Sequence, residues 1–493
     1  MGTARANARL PGGAWRGGGM AKAPPAARAV TVVVGEGVGP EVMRAALRVL
    51  RAAGARLELQ AGDGGEADAR GATAAAAPDA LDAIARTGLA LVGPQAGVAA
   101  QQVRQRLGAL VRVQPVRELP GVRTSYSGSG VDFVLVSGGE PAVPAGGERS
   151  SPAGVVRPAG AVSAGESQRV ARTAFEVALA ERHTAVECVT RSEADEVGEA
   201  AFARAFDEVA REYAALPAEH SALRQCALQL VLRPERFGVL AASAPAATVI
   251  DELAAGLVGG RGVLAAARLG EEVAIFGPAH GCVVALAGLN RANPTGAVLA
   301  GVMLLRHVGQ VETADLIEQA LLVTLERGLR TADLPGGRPP LTTEAFADAV
   351  ITNLGRRLPG WEGRLYRART LPRPPEPPAG HRPARLLGVD VYLQTAGGAE
   401  EVGTTLELLA EDLPLRLRFV SNPGRVAYPP RNGTPAESDL WCARFVPAAP
   451  AELADATVLL LLDRVAERFR WLHVEKLYDA AAPVADVIPL SAS

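Results

Sequence analysis

The sequence predicts an α/β core followed by a small α+β domain, and three observations carry that expectation. Short β-branched runs alternate with segments of helical spacing from Val30 to His307. Pro372 to Pro383 (PRPPEPPAGHRP) is a stiff, Pro-rich stretch and the clearest boundary along the chain. Hydrophobic residues fill 48% of 493 positions, enough for sizeable cores and, at that length, for more than one domain.

The elements follow in order. Val30 to Val34 reads as a strand, Gly35 to Pro40 as a glycine turn, and Glu41 to Ala53 as a helix. Ala90 to Val92 and Val131 to Val136 are further strand-like runs, while Ser167 to Glu181 and Ala200 to Ala214 have helical spacing. Pro141 to Pro158 is rich in Pro, Gly and Ser and reads as an irregular excursion. Asp251 to Leu257 and Thr295 to His307 are helical again. Beyond the Pro-rich stretch, Ala384 to Gln394, Leu406 to Glu411, Leu415 to Val420 and Leu453 to Leu472 form the small α+β domain.

Charge and cysteine usage narrow the function classes. With 51 basic and 53 acidic residues the net charge is −2, which argues against a nucleic-acid surface. Cys188, Cys226, Cys282 and Cys442 are scattered without a CxxC pair, so a reducing compartment fits better than a disulfide scaffold. Val458 to Leu462 is too short an apolar run to span a bilayer, and no membrane partner is expected. Only Lys22 and Lys476 are lysines; every other basic residue is an arginine, which stays protonated. Chemistry that needs a titrating lysine therefore has almost no candidate.

Residues 1–28 are Arg-rich and precede the first acidic residue, Glu36. They read as translated sequence ahead of a start at Met20, or as an organelle transit segment, and on both readings as disordered. The expected location is the cytoplasm, or the mitochondrial matrix under the transit reading.

Six ordered motifs then carry a resemblance. VTVVVGEGVGPE (30–41), VQPVRELPG (113–121), DELAAGLVGGRG (251–262), AHG (279–281), AGLNRANPT (287–295) and MLLRHVG (303–309) resemble, in order, those of the isocitrate/isopropylmalate dehydrogenase family. The tail, with GVDVY, PLRLRFVSN and WLHVEKL, is similar to the extra domain of long Thermus-like isocitrate dehydrogenases. The resemblance implies a two-domain fold distinct from a Rossmann domain, with an inserted clasp. It implies a large domain in two parts (29–124 and 255–371), a small clasp-bearing domain (125–254), a linker (372–383) and a C-terminal α+β domain (384–493). NAD(P) and Mg²⁺ or Mn²⁺ are the family's cofactors, and the family's active site is shared across a dimer.

Carried over residue by residue, the family's chemistry falls on unsuited side chains. The metal positions fall on Thr248, Glu252 and, from the neighbouring subunit, Arg224. Asp251 lies one place out of register, and adjacent helical residues point about 100° apart, so Asp251 and Glu252 do not share a ligand sphere. The proton-transfer positions fall on Cys188 and Pro144, and substrate positions on Val98, Ala100, Gln114 and Ser137; Arg104 alone keeps a substrate-binding arginine. Cys188 reads as a core thiol. Glu36 reads as a turn cap rather than a base. His280, Gly281 and Asn293 match cofactor contacts, whereas Ala285 and Leu286 make no choice between NAD and NADP.

The expectation is thus a protein that keeps the family's fold but has lost its catalysis, a regulatory or scaffolding subunit with no firmly expected cofactor. The alternative is an active NAD(P)- and Mg²⁺/Mn²⁺-dependent isocitrate dehydrogenase. Val249 to Val258 and Leu228 to Leu232 are the expected dimer surfaces, within a homodimer or a heteromer with an active paralogue.

Overall fold

A computed structural model describes residues 27–61, 78–94, 106–108, 111–138, 149–150, 156–157, 164–191, 197–336, 338–361, 385–422, 425–430, 439–449 and 453–478. In chain order the first elements are β1 (Arg28–Val33), α1 (Gly39–Ala52), β2 (Leu57–Ala61), α2 (Pro78–Thr87), β3 (Leu89–Val92), β4 (Val111–Arg117) and β5 (Asp132–Ser137). Next come β6 (Arg149–Ser150), β7 (Val156–Arg157), α3 (Ala164–Glu181), β8 (Val186–Thr190), α4 (Val197–Ala210), β9 (Ala218–Ala222) and α5 (Leu223–Leu232). β10 (Val239–Ala242), α6 (Ala244–Val258), β11 (Ala265–Leu269), β12 (Ala274–Pro278), α7 (Thr295–His307), α8 (Val311–Glu326) and α9 (Thr343–Thr352) complete the first compact unit. The second unit holds β13 (Leu386–Gln394), α10 (Ala399–Ala410), β14 (Leu415–Asn422), β15 (Arg425–Tyr428), β16 (Leu440–Pro447), α11 (Asp455–Ala466) and β17 (Arg470–Tyr478), and the β6–β7 ribbon groups with it.

One ten-stranded sheet organises the first unit, in the order β2-β1-β3-β12-β11-β4-β5-β10-β8-β9. Its flanks are parallel, but β12, β11, β4 and β5 pair antiparallel with one another at the centre. A doubly wound sheet would be parallel there. Helices cover the sheet, and Phe133 and Phe276 on its strands and Phe175, Phe206 and Phe346 on the helices are all fully buried. The α1 helix shows why such segments are helical, since Val42, Met43, Ala46, Leu47 and Leu50 recur at three- and four-residue spacing and all face the core.

The glycine turn before α1 is held by backbone. Glu36 N–H donates to the Pro94 carbonyl and Val38 N–H to that of Cys282, both at 2.8 Å. Gly35 and Gly37 have φ of +81° and +59°, and a Cβ at either would fall within 2.2 Å of a carbonyl oxygen. Only glycine fits both the dihedral and the space. Glu41, in the first turn of α1, accepts the N–H groups of Asn290 and Ala292 at 2.8 and 3.1 Å, tying α1 to the loop before α7. Between α7 and α8, the buried Arg306 donates to Asp315 and Glu318 at 2.8 and 2.7 Å.

The second unit is an antiparallel sheet, β15-β14-β16-β13-β17, with α10 and α11 packed on it. Val389, Val391 and Leu393 alternate toward the core on β13, and Asp390 and Tyr392 between them are buried as well. Between them Asp390 accepts a bidentate pair of hydrogen bonds from Arg444, at 2.7 and 2.6 Å. The Leu453 to Leu472 stretch divides into α11 and the start of β17. Leu459, Leu460 and Trp471 are exposed. No helix among the described residues is long and apolar enough to cross a membrane.

Truncating a fully buried ring next to the central strands tests this packing. Phe276→Ala, on β12, is expected to destabilise the first unit by about 3–5 kcal/mol. A denaturant titration showing a loss below about 1 kcal/mol would contradict the burial described.

Candidate functional site

A cavity of about 400 Å³ lies where β3 and β5 end and α6 begins. Such a place, outside the carboxyl ends of sheet strands, is where α/β proteins bind ligands. Its walls include Val92 from β3, Ser137 from β5, Arg112 from β4, Arg268 from β11, Thr248 and Asp251 from α6, and Arg261 and His280 from the flanking loops.

The dominant feature is a carboxylate shared by cations. Asp251 Oδ1 accepts from Gln114 Nε2 at 2.6 Å and from Arg112 Nη2 at 3.1 Å, and Asp251 Oδ2 lies 3.3 Å from Arg261 Nη1. Gln114 Oε1 in turn accepts from Arg112. Arg112 and Gln114 reach the same carboxylate because alternate residues of a strand share a face. Arg261 closes the far side: Nε and Nη2 grip Glu252 in a fork, and Nη1 donates to the Ala279 carbonyl at 3.2 Å.

Electrostatics follow from that arrangement. Burial pushes the Asp251 carboxyl up, but the charge and hydrogen bond of Arg112, the Gln114 amide and Arg261 outweigh it and hold it below the ordinary carboxylate range. The Glu252 hydrogen bond leads in raising Arg261 above its usual value. Burial lowers His280, so its imidazole is neutral at pH 7. His280 Nδ1 lies 3.0 Å from the Gly281 carbonyl, whereas its buried Nε2 has no hydrogen-bond partner among the described residues.

A divalent cation of the Mg²⁺ type needs several oxygen ligands converging with their charge uncommitted. Asp251 and Glu252 are already neutralised by guanidiniums, and Thr248, exposed on α6, donates its hydroxyl to the Ala244 carbonyl at 3.2 Å. Among the described residues no group of three or more His, Cys, Asp or Glu could hold a metal ion. The donor set does not fit the cation.

The other sequence-derived positions divide plainly. Ser137, Thr248, Glu252, His280 and Gly281 line the cavity. Gln114 is wholly buried, its amide committed to Asp251. Cys188 is core on β8, its thiol pushed up by burial. Arg224 is exposed on the first turn of α5. Asn293 is buried and spent on structure: Nδ2 donates to Asp333 at 2.9 Å, and Oδ1 accepts the Thr295 N–H at 3.0 Å near the start of α7. Glu36 meets the Cys282 thiol at 3.8 Å, and what caps its turn is backbone. Val98, Ala100, Arg104 and Pro144 lie outside the described residues.

Arg112, Arg261 and Arg268 are the residues that sequence reading missed. The signal was available for Arg112, which sits two places before Gln114, just ahead of the VQPVRELPG motif, since alternate residues of a strand share a face. Arg261 lies within the DELAAGLVGGRG motif, to which no role was attached at that position, and no local pattern sets Arg268 apart from the other arginines.

The fold and the cleft together define a class. Residues 29–350 match the isocitrate/isopropylmalate dehydrogenase family, and the chain belongs to it. Residues 384–482 match the C-terminal domain of bacterial isocitrate dehydrogenases. Among curated relatives, the chain is 37% identical over 461 residues to an isocitrate dehydrogenase [NADP] of Thermus thermophilus, covering 91% of this chain and 93% of that one. It is 32% identical to an isocitrate/homoisocitrate dehydrogenase of the same organism, over 66% of this chain and 98% of that one. Among solved structures, the TT0538 protein from Thermus thermophilus superposes with a TM-score of 0.83 at 35% identity, covering 92% and 93% of the two chains. The fold is therefore of the isocitrate/isopropylmalate dehydrogenase type, with a separate antiparallel domain at its C-terminal end.

Linkage gives the site a signature in pH. Because the folded Asp251 carboxyl sits below its unfolded value, its contribution is fully present above about pH 4 and is lost as pH falls through the lower, folded value. Asp251→Asn is expected to cost about 2 kcal/mol at pH 7 and at pH 5, with the difference from the parent shrinking below about pH 4. Urea unfolding at those pH values reads it; a difference that grows on acidification would contradict the ion pairing.

Proposed function

We propose that this protein is a non-catalytic member of its family, a regulatory or scaffolding subunit. The observation that carries the reading is that Glu252, at one of the family's metal positions, is committed to Arg261, and its neighbour Asp251 to Arg112 and Arg261, so neither carboxylate is left for a cation. Loss of proton transfer supports it independently. Cys188 stands at the family's lysine position, buried in the core, and of the two lysines Lys476 is paired with Asp455 at 2.7 Å in the second unit. Metal and general acid each lower a barrier by several kcal/mol, so losing both removes turnover rather than slowing it.

The assembly proposed is a dimer, with itself or with an active paralogue. Leu228, Val231 and Leu232 on α5 and Val249 on α6 are exposed, an apolar surface of the sort that a neighbouring subunit covers. Arg224 would then face Thr248 across that interface. The proposed division is the one read from sequence, a large domain in two parts (29–124 and 255–371), a clasp-bearing segment (125–254) and a linker (372–383), and the bacterial relatives support a cytoplasmic location.

The Thermus relative, an isocitrate dehydrogenase [NADP], favours a second reading, an active NAD(P)- and Mg²⁺/Mn²⁺-dependent isocitrate dehydrogenase. An assay separates the two. With isocitrate, Mn²⁺ and either NAD⁺ or NADP⁺, absorbance at the reduced-nicotinamide band is expected to stay at the no-enzyme rate. Turnover comparable to an ordinary dehydrogenase would end the non-catalytic reading.

A further inference from the structure

The ten-stranded sheet carries a second cavity on the face away from the cleft. β4 turns Arg112 and Gln114 toward Asp251, so alternation along the strand sends Pro115 and Arg117 to the opposite side, where both line this cavity. α7 closes it with one stripe, Leu299, Val302, Met303 and Arg306, at three- and four-residue spacing. Glu318 of α8 and the Trp361 indole complete an enclosed space of about 60 Å³. None of its lining residues also lines the cleft.

Two donors on these walls lack an acceptor. The Arg306 side chain is only 6% exposed. Its Nη2 serves both Asp315 and Glu318, whereas its Nε has no hydrogen-bond partner among the described residues. Trp361 Nε1 is likewise buried without a partner there, while the Arg117 guanidinium lies 3.7 Å from the centre of the same indole ring. A buried donor left unmade costs about 1–3 kcal/mol, and native structures rarely leave one unanswered. Two such donors on one cavity call for an acceptor.

Charge decides which acceptor. Arg306 holds Asp315 and Glu318, and Arg117 Nε lies 3.4 Å from Asp132. Burial lowers the Arg117 guanidinium from its usual value, and the charges of Glu318 and Glu181 pull it back up. Two guanidiniums thus meet the four carboxylates of Asp132, Glu181, Asp315 and Glu318, so a further anion gains nothing, and unanswered donors exclude a cation. We propose that this cavity takes a small neutral carbonyl compound, a ketone or an amide without N–H groups, whose oxygen accepts from Arg306 Nε and Trp361 Nε1. A carbonyl oxygen has two lone pairs, one for each donor. Val302 and Met303 receive the adjoining alkyl groups, and the half-buried Leu299 the remainder. The enclosed space, equal to about two waters, suits the carbonyl and its neighbouring carbons. The proposal stands whether or not the cleft on the other face is catalytic.

The test is a titration of the ¹⁵N-labelled full chain with N-methylpyrrolidone, a lactam without an N–H group, followed through the indole N–H resonances. Trp361→Phe, which keeps a ring on the wall, identifies the Trp361 signal among those of the four tryptophans. That signal is expected to move downfield and to saturate at millimolar lactam while the other indole signals stay in place. Cyclopentanecarboxylate, an anion of the same ring size, is expected to bind at least tenfold more weakly. Leu299→Phe narrows the cavity and should weaken the lactam at least tenfold, with the other indole signals unmoved to show that the fold survives. Where that variant does not fold, calorimetry on Trp361→Phe takes its place and is expected to show binding at least fivefold weaker. A Trp361 signal unmoved at tens of millimolar lactam, as waters filling the cavity would give, overturns the proposal. So does a drift of all the indole signals in proportion to lactam, equal binding of the carboxylate, or unchanged affinity in the variant.

Discussion

The cleft of this protein is organised by one buried carboxylate held between two guanidiniums. Asp251 sits two turns into α6, and the groups it draws in come from β4 and from the loop after α6. An isolated charge at that depth would be prohibitive, and a carboxylate paired on both oxygens is not. The pairing also fixes what the site can be. Once guanidiniums neutralise Asp251 and Glu252, the local field no longer attracts a cation, and arginine, unlike lysine, cannot give up its proton to relieve the conflict. The chemistry of the cavity follows from residue type more than from shape.

Most of the architecture that places this carboxylate was legible in the sequence. The glycine turn, α1 and α7 declare themselves by φ-demanding glycines and by helical spacing, and the Pro-rich stretch precedes a second unit with its own core. The strands read least well are the alanine-rich ones. Ala265–Leu269 (AAARL) and Ala218–Ala222 (AEHSA) lack the β-branched and aromatic residues that favour strands, and tertiary pairing alone makes them so. Yet β11 is the strand that carries Arg268 to the cavity and turns the sheet antiparallel at its centre.

The site was legible in one direction only. Comparison with family motifs marks positions where an expected side chain is missing, such as Gln114, Thr248 and Cys188. It is silent about side chains that arrive from elsewhere. Arg112 and Arg268 lie outside the quoted motifs and Arg261 lies within one without an assigned role, and only the register of β4 against β11 and the course of α6 bring them together. Asn293 illustrates the opposite error. Its place in a motif suggests a ligand contact, but both ends of its amide are taken by Asp333 and the Thr295 N–H.

The central claim is that guanidiniums stand where a cation would, and manganese binding tests it most directly. Free hexaaqua Mn²⁺ gives a sharp paramagnetic resonance that is lost on coordination to protein, so a titration reads binding without any need for turnover. The account predicts that the full-length chain leaves the signal of free Mn²⁺ undiminished, with and without isocitrate. One tightly bound Mn²⁺ per chain, abolished by Asp251→Asn, would contradict it.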